Sequence, residues 1–449
     1  MGDRESNIMR FAGGQAEVMD WLRQNAVDKV RLEWTDLHGI SRGKRLALAT
    51  FEHGLDDGIP FAALLFAIDL QARWLRGTRF GEEMSFGDFW ARPDLRSLRL
   101  LRHEPNTAQV MTRLTWSDGS PVVEYPRNVL EEVLGDLAEL DFRALAAPEF
   151  EFYFLDSNYK VMDTGANAYA MQKRWGFREE ERALLDAVSA HVDYEACNYE
   201  FGPGQYEITV RYGEALQIAD DGHFFRNTMK EAAVAIDRRV TFMAKPFDVE
   251  AGSSCHFHFS LEDTNGKNAF HDPDDPLGLS RTCRLFIGGV LAHLQELALL
   301  YLPTPNSYRR LAPDSFAPLS IAWGIDNRVA AVRVINYRPE STRIELRVPG
   351  GDVSVYLGLA ALIASGIDGI RNEIDPGAPS EGHLDYDPNI PKITNEWGVA
   401  LSAFEASKFA PKAFGKDMCS FYGRIKRMEY ERIKFLVTQE ERDEYIELI

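Results

Sequence analysis

Four short stretches of the chain alternate polar and apolar residues: Glu149-Phe150-Glu151-Phe152, Gln205-Tyr206-Glu207-Ile208-Thr209, His256-Phe257-His258-Phe259-Ser260 and Arg343-Ile344-Glu345-Leu346-Arg347. A strand sends successive side chains to opposite faces, so the pattern predicts strands with Phe, Tyr, Ile and Leu toward the core. The opposite faces, turned to one shared site, would carry Glu149, Glu151, Glu207, His256, His258 and Glu345, with Arg343 and Arg347 among them. Carboxylates gathered in a concave site repel one another and resist desolvation unless cations sit between them. Hard cations take oxygen ligands, an imidazole is a common addition, and neighbouring arginines suit phosphate. The pattern points to metal–nucleotide chemistry.

A length of 449 residues allows a large core and two domains. A hydrophobic content of 45% with 27% charged residues is that of an ordinary soluble globular protein. The net charge of −19 argues against non-specific nucleic-acid binding and against an anionic membrane surface. No secretory signal is visible, and the longest purely apolar run, Phe61 to Ile68, is too short to span a bilayer. Met1-Gly2 with Ser6 matches the loose myristoylation pattern, but acidic Asp3 and Glu5 weaken the match. Cys197, Cys255, Cys283 and Cys419 are widely separated, with no Cys-x-x-Cys, and read as buried reduced thiols of a cytoplasmic protein. Alternation sends Cys255 to the apolar face, away from His256.

Residues 1–125 read as a small, mostly β domain with short runs such as Val30-Arg31-Leu32-Glu33-Trp34 and Ala108-Gln109-Val110-Met111. From Pro126 a helix is expected, with Val129, Leu130, Val133, Leu134 and Leu137 at helical spacing, opening a second domain over 126–449. Further helices are expected around 223–239, 281–300 and 353–370, giving a mixed sheet backed by helices. The charged helical stretch from Arg427 reads as a solvated or subunit-contacting face. Gly39-Ile40-Ser41-Arg42-Gly43-Lys44-Arg45 is not a P-loop, because it is one residue short between its glycines and has Arg where Ser or Thr must meet the metal. Gly202-Pro203-Gly204 lacks the third glycine of a dinucleotide loop.

Six motifs in order resemble the glutamine synthetase family: Ala147-Pro148-Glu149-Phe150-Glu151-Phe152, Glu200-Phe201-Gly202-Pro203-Gly204-Gln205-Tyr206-Glu207, Gly252 to Ser260, Asn306-Ser307-Tyr308-Arg309-Arg310-Leu311, Asn327-Arg328 with Arg333, and Arg343 to Arg347. Asp36-Leu37-x-Gly39 followed by Arg42-Gly43-Lys44-Arg45 resembles its γ-glutamylpolyamine (γ-glutamyl amide) synthetase branch. The resemblance implies an α+β fold: an N-terminal β-grasp domain and a C-terminal α/β catalytic domain related to the guanidino kinases. It implies one metal on Glu151, Glu200 and Glu207 and a second on Glu149, His256 and Glu345. A mostly carboxylate set with one imidazole suits Mg²⁺ or Mn²⁺ better than Zn²⁺. By the same resemblance His258, Ser260, Arg328, Arg333 and Arg343 would lie along ATP, and Gly252, Arg310 and Arg347 would hold glutamate. It further implies sites between subunits of hexameric rings, usually stacked as dodecamers.

Departures from the family pattern bear on the second substrate. Where ammonia-using members carry a flap glutamate, this chain reads Asp314-Ser315-Phe316-Ala317-Pro318, so Phe316 replaces the base. The ammonium-binding Asp motif is unrecognisable, its region near Pro60 to Phe66 is apolar, and Ala251 replaces a glutamate-contacting Asn. An aromatic ring accepts no proton, but it packs against alkyl or aryl groups and attracts organic cations. The reading is an ATP-dependent ligase joining glutamate's γ-carboxylate to an organic amine, with Asp314, Asp69 or Glu83 as candidate base and Tyr386 near the place of an adenylylation tyrosine. Competing readings are a glutamine synthetase with a relocated base, a non-catalytic structural relative, and a guanidino kinase, which would need no Arg310 and Arg347.

Overall fold

The computed structural model describes residues 14–101, 103–165, 168–171, 178–189 and 192–447, so the Met1-Gly2 motif with Ser6 lies outside the described residues. Two sheets organise the chain. The first takes its strands from residues 29–115, in the order Ser41–Ala47, Lys29–Thr35, Thr107–Thr115, Asp88–Pro93, Ile59–Ala62, with Arg99–Leu100 on a side path. Lys29–Thr35 and Thr107–Thr115 run parallel, while the other pairs are antiparallel. Trp34 is fully buried there between the rings of Phe61, Phe66 and Phe89. The apolar Pro60–Phe66 stretch is therefore largely core for this sheet, with Phe61, Ala63 and Phe66 buried.

The second sheet carries all four alternating stretches. Its order is Ser320–Ile325, Ala330–Ile335, Arg343–Leu346, Cys255–Asp263, Phe142–Asp156, Gln205–Val210, Tyr194–Tyr199. Phe142–Asp156 is the hub: it also pairs with Gly213–Glu214 and Arg238–Thr241. On its apolar face Phe150 stacks on Phe225 at 4.9 Å, and Phe259 stacks on Phe286 at 5.0 Å. Those partners lie on the helices Ala215–Ala235 and Arg281–His293, which back the sheet with Pro126–Ala138 and Val355–Arg371. No helix among the described residues is long and apolar enough to cross a membrane.

Several expected boundaries move. The helix expected around 223–239 begins earlier, at Ala215, and ends at Ala235, because Asp237 takes a left-handed φ of 56° and the chain re-enters the sheet. The one expected over 281–300 breaks after His293, whose ring is held by Glu296 and Asp368, and resumes as Ala298–Tyr301. The last alternating strand stops at Leu346, although the Arg347 N–H still donates to the Ala331 carbonyl at 3.0 Å and its side chain donates through Nε to the Arg328 carbonyl. All four cysteines are free; Cys255, Cys283 and Cys419 are buried, but Cys197, on the edge strand, is only half-buried.

Candidate active site

Register brings the polar faces together. Glu149 lies opposite His256 on one side and Thr209 on the other. Glu151 lies opposite Glu207, His258 opposite Glu345, and Glu345 opposite Arg333. His256 Nδ1 is 3.0 Å from Glu149 and 3.4 Å from Glu345. His258 Nε2 is 3.3 Å from the second Glu149 oxygen. Among the described residues Glu149, His256 and Glu345 converge as a possible ion-binding trio, with one donor atom from each within 4.8 Å of the others.

Charge is distributed unevenly across this face. Burial alone would raise the Glu149 carboxyl, but hydrogen bonds from His256 and His258 outweigh it and hold it well below the usual range. Glu345 is 1% exposed and likewise held down, to about 2, because Arg347, His256 and His258 overcome its burial. Arg333 donates to it at 2.8 Å and Arg347 donates to its other oxygen. On the far side the balance reverses. Burial, then the Glu151 charge, pushes Glu200 up to about 7. Burial, then the charges of Glu149, Glu151 and Glu200, pushes Glu207 up to about 10. Glu151 accepts from the Ser254 N–H at 2.8 Å and Glu200 from Asn198 at 3.1 Å. Carboxylates driven out of their ionised form by one another fit a bound cation, and an oxygen-rich set with a single imidazole suits a hard divalent ion.

Beside this face opens a cleft of about 960 Å³ lined by Glu149, His258, Ser260, Arg333, Tyr337 and Arg343. Arg343 donates to His258 Nδ1 at 3.2 Å, which fixes that ring's orientation toward Glu149. Arg328 is exposed and does not line the cleft; its partner is the Tyr169 hydroxyl, near Glu200 and Glu207. Tyr337 and Asp326 escaped the sequence reading, yet Tyr337 lines the cleft and Asp326 holds Arg333 through Nε at 2.9 Å. Asp326 immediately precedes Asn327-Arg328, the one signal that could have found it.

The expected glutamate-holding group takes two forms. Arg310 is buried, donates to the Val348 and Pro349 carbonyls, and keeps an Nε with no protein partner. Burial lowers its guanidinium to about 10, which an incoming carboxylate would relieve. Gly252 is required beside it, since a Cβ there would lie 2.5 Å from Arg310 Cγ and 2.9 Å from the Ala244 carbonyl. Arg347 is committed to Glu345 and the Arg328 carbonyl, so in this arrangement it orients a carboxylate of the protein.

The Asp314–Pro318 loop packs beside Arg310, whose carbonyl accepts from the Ser315 hydroxyl. Asp314 accepts from the Tyr386 hydroxyl at 2.6 Å, with His383 Nε2 3.5 Å away. Phe316 is 55% exposed. Of the other proposed bases, Asp69 is buried and closed in a turn of its own, accepting from the Gln71 and Arg73 N–H groups and the Arg73 guanidinium, so it is not available. Glu83 is exposed on the short helix Glu82–Met84.

A sheet face of this composition, beside a cleft of this size, can hold divalent metal and phosphate together. The chain belongs to the glutamine synthetase family: the family's catalytic domain matches residues 124–445. It is 35% identical over 440 residues to gamma-glutamylethanolamide synthetase GlnA4 of Streptomyces coelicolor, covering 95% of this chain and 94% of that protein. It is 32% identical to the glutamate–isopropylamine ligase of a Pseudomonas species, covering 96% and 98%. Among solved structures, GmaS in complex with ADP superposes with a TM-score of 0.85 at 27% identity, covering 95% of this chain and 99% of that one.

Proposed function

We propose that this glutamine synthetase-family ligase joins the γ-carboxylate of L-glutamate to a small organic amine with cleavage of ATP. The carrying observation is Phe316, an exposed ring where an ammonia-using site needs a carboxylate. Relatives named for a γ-glutamylethanolamide product and for isopropylamine as the joined amine support the same reading.

The γ-carboxylate attacks the ATP γ-phosphorus, ADP leaves, and the amine then displaces phosphate from γ-glutamyl phosphate, losing a proton as the amide forms. Arg310, with Gly252 beside it, is placed to take a glutamate carboxylate. His258, Ser260, Arg333 and Arg343 line the cleft that would hold ATP, and Arg328, exposed beside Tyr169, would have to turn to meet its phosphates. Glu149, His256 and Glu345 would hold one divalent cation and Glu151, Glu200 and Glu207 another; Mg²⁺ or Mn²⁺ bound there neutralises phosphate charge. Arg347 and Arg333 keep Glu345 ionised and oriented. Asp314, exposed and oriented by Tyr386, is the candidate that takes the amine's proton. That hydrogen bond also makes Tyr386 a positioning group rather than an adenylylation acceptor. A carboxylate face retained with its arginines argues against a structural relative, and buried Arg310 argues against a guanidino kinase.

The reading extends to the whole protein: an N-terminal β-grasp domain over 1–125, a catalytic domain over 126–449, hexameric rings stacked as dodecamers, and a cytoplasmic setting that fits ATP and free thiols. The test is ADP release with glutamate, ATP and Mg²⁺ against ammonium, putrescine, spermidine, ethanolamine, isopropylamine and aniline. Turnover with an organic amine well above ammonium is expected; turnover chiefly with ammonium overturns the reading.

A further inference from the structure

Two phenylalanines meet where the turn after Glu200 touches the Asp314–Pro318 loop. The rings of Phe201 and Phe316 stack with centroids 5.9 Å apart and an interplanar angle of 18°. Each remains more than half exposed, 53% and 55%. Phe201 directly follows Glu200, which accepts from Asn198 at 3.1 Å. Its turn is closed by Gln205, which accepts from the Gly202 N–H and donates to the Gly252 carbonyl at 2.8 Å. Gly252 lies against Arg310, and the Ser315 hydroxyl donates back to the Arg310 carbonyl at 3.2 Å. The contacts thus run in sequence from Glu200 through Phe201, Gln205, Gly252, Arg310 and Ser315 to Phe316.

Phe316 is also conformationally costly. Its φ is 56°, a left-handed value that a bulky side chain rarely adopts, and Asp314 two residues earlier is at 60°. The Tyr386 hydroxyl and His383, stacked on each other at 5.6 Å, meet Asp314 and pin the loop in this shape. Strain held in place by neighbouring contacts is the pattern of a functional position.

We infer that Phe201 and Phe316 form one aromatic lip that selects the carbon substituent of the acceptor amine, favouring a small uncharged alkyl or aryl group. This rests on the proposed ligase reading and adds a second residue and a direction of selectivity to it. Phe201 adjoins Glu200 and Phe316 adjoins the Ser315–Arg310 contact, so a glutamyl group held at Arg310 and activated near Glu200 would lie beside the ring pair. Each methylene buried against the rings is worth about fourfold in binding.

The test measures kcat/KM for methylamine, ethylamine and isopropylamine, with KM for glutamate and ATP, in the unmodified protein, F201A, F201L and F316A. The unmodified protein is expected to improve by about fourfold per methylene. F201A and F316A should each flatten that series, losing about tenfold in the ratio of isopropylamine to methylamine kcat/KM without raising KM for glutamate. F201L, which keeps apolar area and packing, should retain most of the slope. An equal loss on all three amines, or a raised KM for glutamate, would overturn the lip and leave the ligase reading standing. Preference for a polyamine over isopropylamine would overturn the uncharged selectivity alone. Turnover with ammonium only would overturn both.

Discussion

Glu345 is almost fully buried yet ionised, because two guanidiniums and an imidazole surround it. Glu345→Gln keeps the shape and removes the charge. ADP formation should fall by about a hundred- to a thousandfold, measured with saturating glutamate and the best amine. At Asp314 the chemistry of the acceptor provides the discriminating test. An alkylamine is protonated near pH 7, with a pKa of about 10.4, and needs a base, whereas an aromatic amine is already neutral. Asp314→Asn should therefore slow isopropylamine by about a hundredfold and aniline far less, read from kcat with each amine. Equal slowing of both would assign Asp314 to holding the loop.

Between elements, the last long helix is tied to the first sheet's turn. Glu429, on Lys416–Ile433, accepts from Lys426 at 3.0 Å and meets His38 Nε2 at 2.5 Å. Burial would raise its carboxyl, but Lys426 and His38 bring it down to about 2. An unfolded glutamate titrates near 4.3, so the folded form binds fewer protons between the two values. The resulting stability is present above about pH 4.3 and lost as pH falls toward 2. Glu429→Gln should cost about 2–3 kcal/mol at neutral pH and flatten that acid limb, as urea denaturation at stepped pH would reveal. A second constraint is purely steric. Where Arg281–His293 crosses Val355–Arg371, a Cβ on Gly289 would lie 2.0 Å from the Ser365 carbonyl oxygen and 2.6 Å from the Gly369 nitrogen. Both are backbone and cannot swing aside. Gly289→Ala should cost about 3 kcal/mol or more, visible as a lowered melting temperature.

For the molecule as a whole, the acidic face needs counter-charge to work. Removing divalent metal with a chelator should abolish ADP release, and adding Mg²⁺ or Mn²⁺ back should restore it. Metal should also raise the melting temperature, because it relieves the repulsion that lifts Glu200 and Glu207. If rings form as proposed, mass photometry should find particles of six or twelve 50.8 kDa chains.

The sequence by itself determined the strands of the second sheet and the polar side of each. Strict alternation puts Glu149 with Glu151 and His256 with His258 on one side of their strands, and register then brings those sides together with Glu207 and Glu345. Local signals end there. That Asp69 is closed in its own turn, that the Arg347 side chain meets the Arg328 carbonyl, and that Asp326 holds Arg333 all depend on partners set by packing. The Phe201–Phe316 pair joins residues 115 positions apart through Gly252 and Arg310, with no shared period to betray it. Periodicity reports which side of a strand a residue occupies; only the tertiary structure decides which residue faces it across a gap.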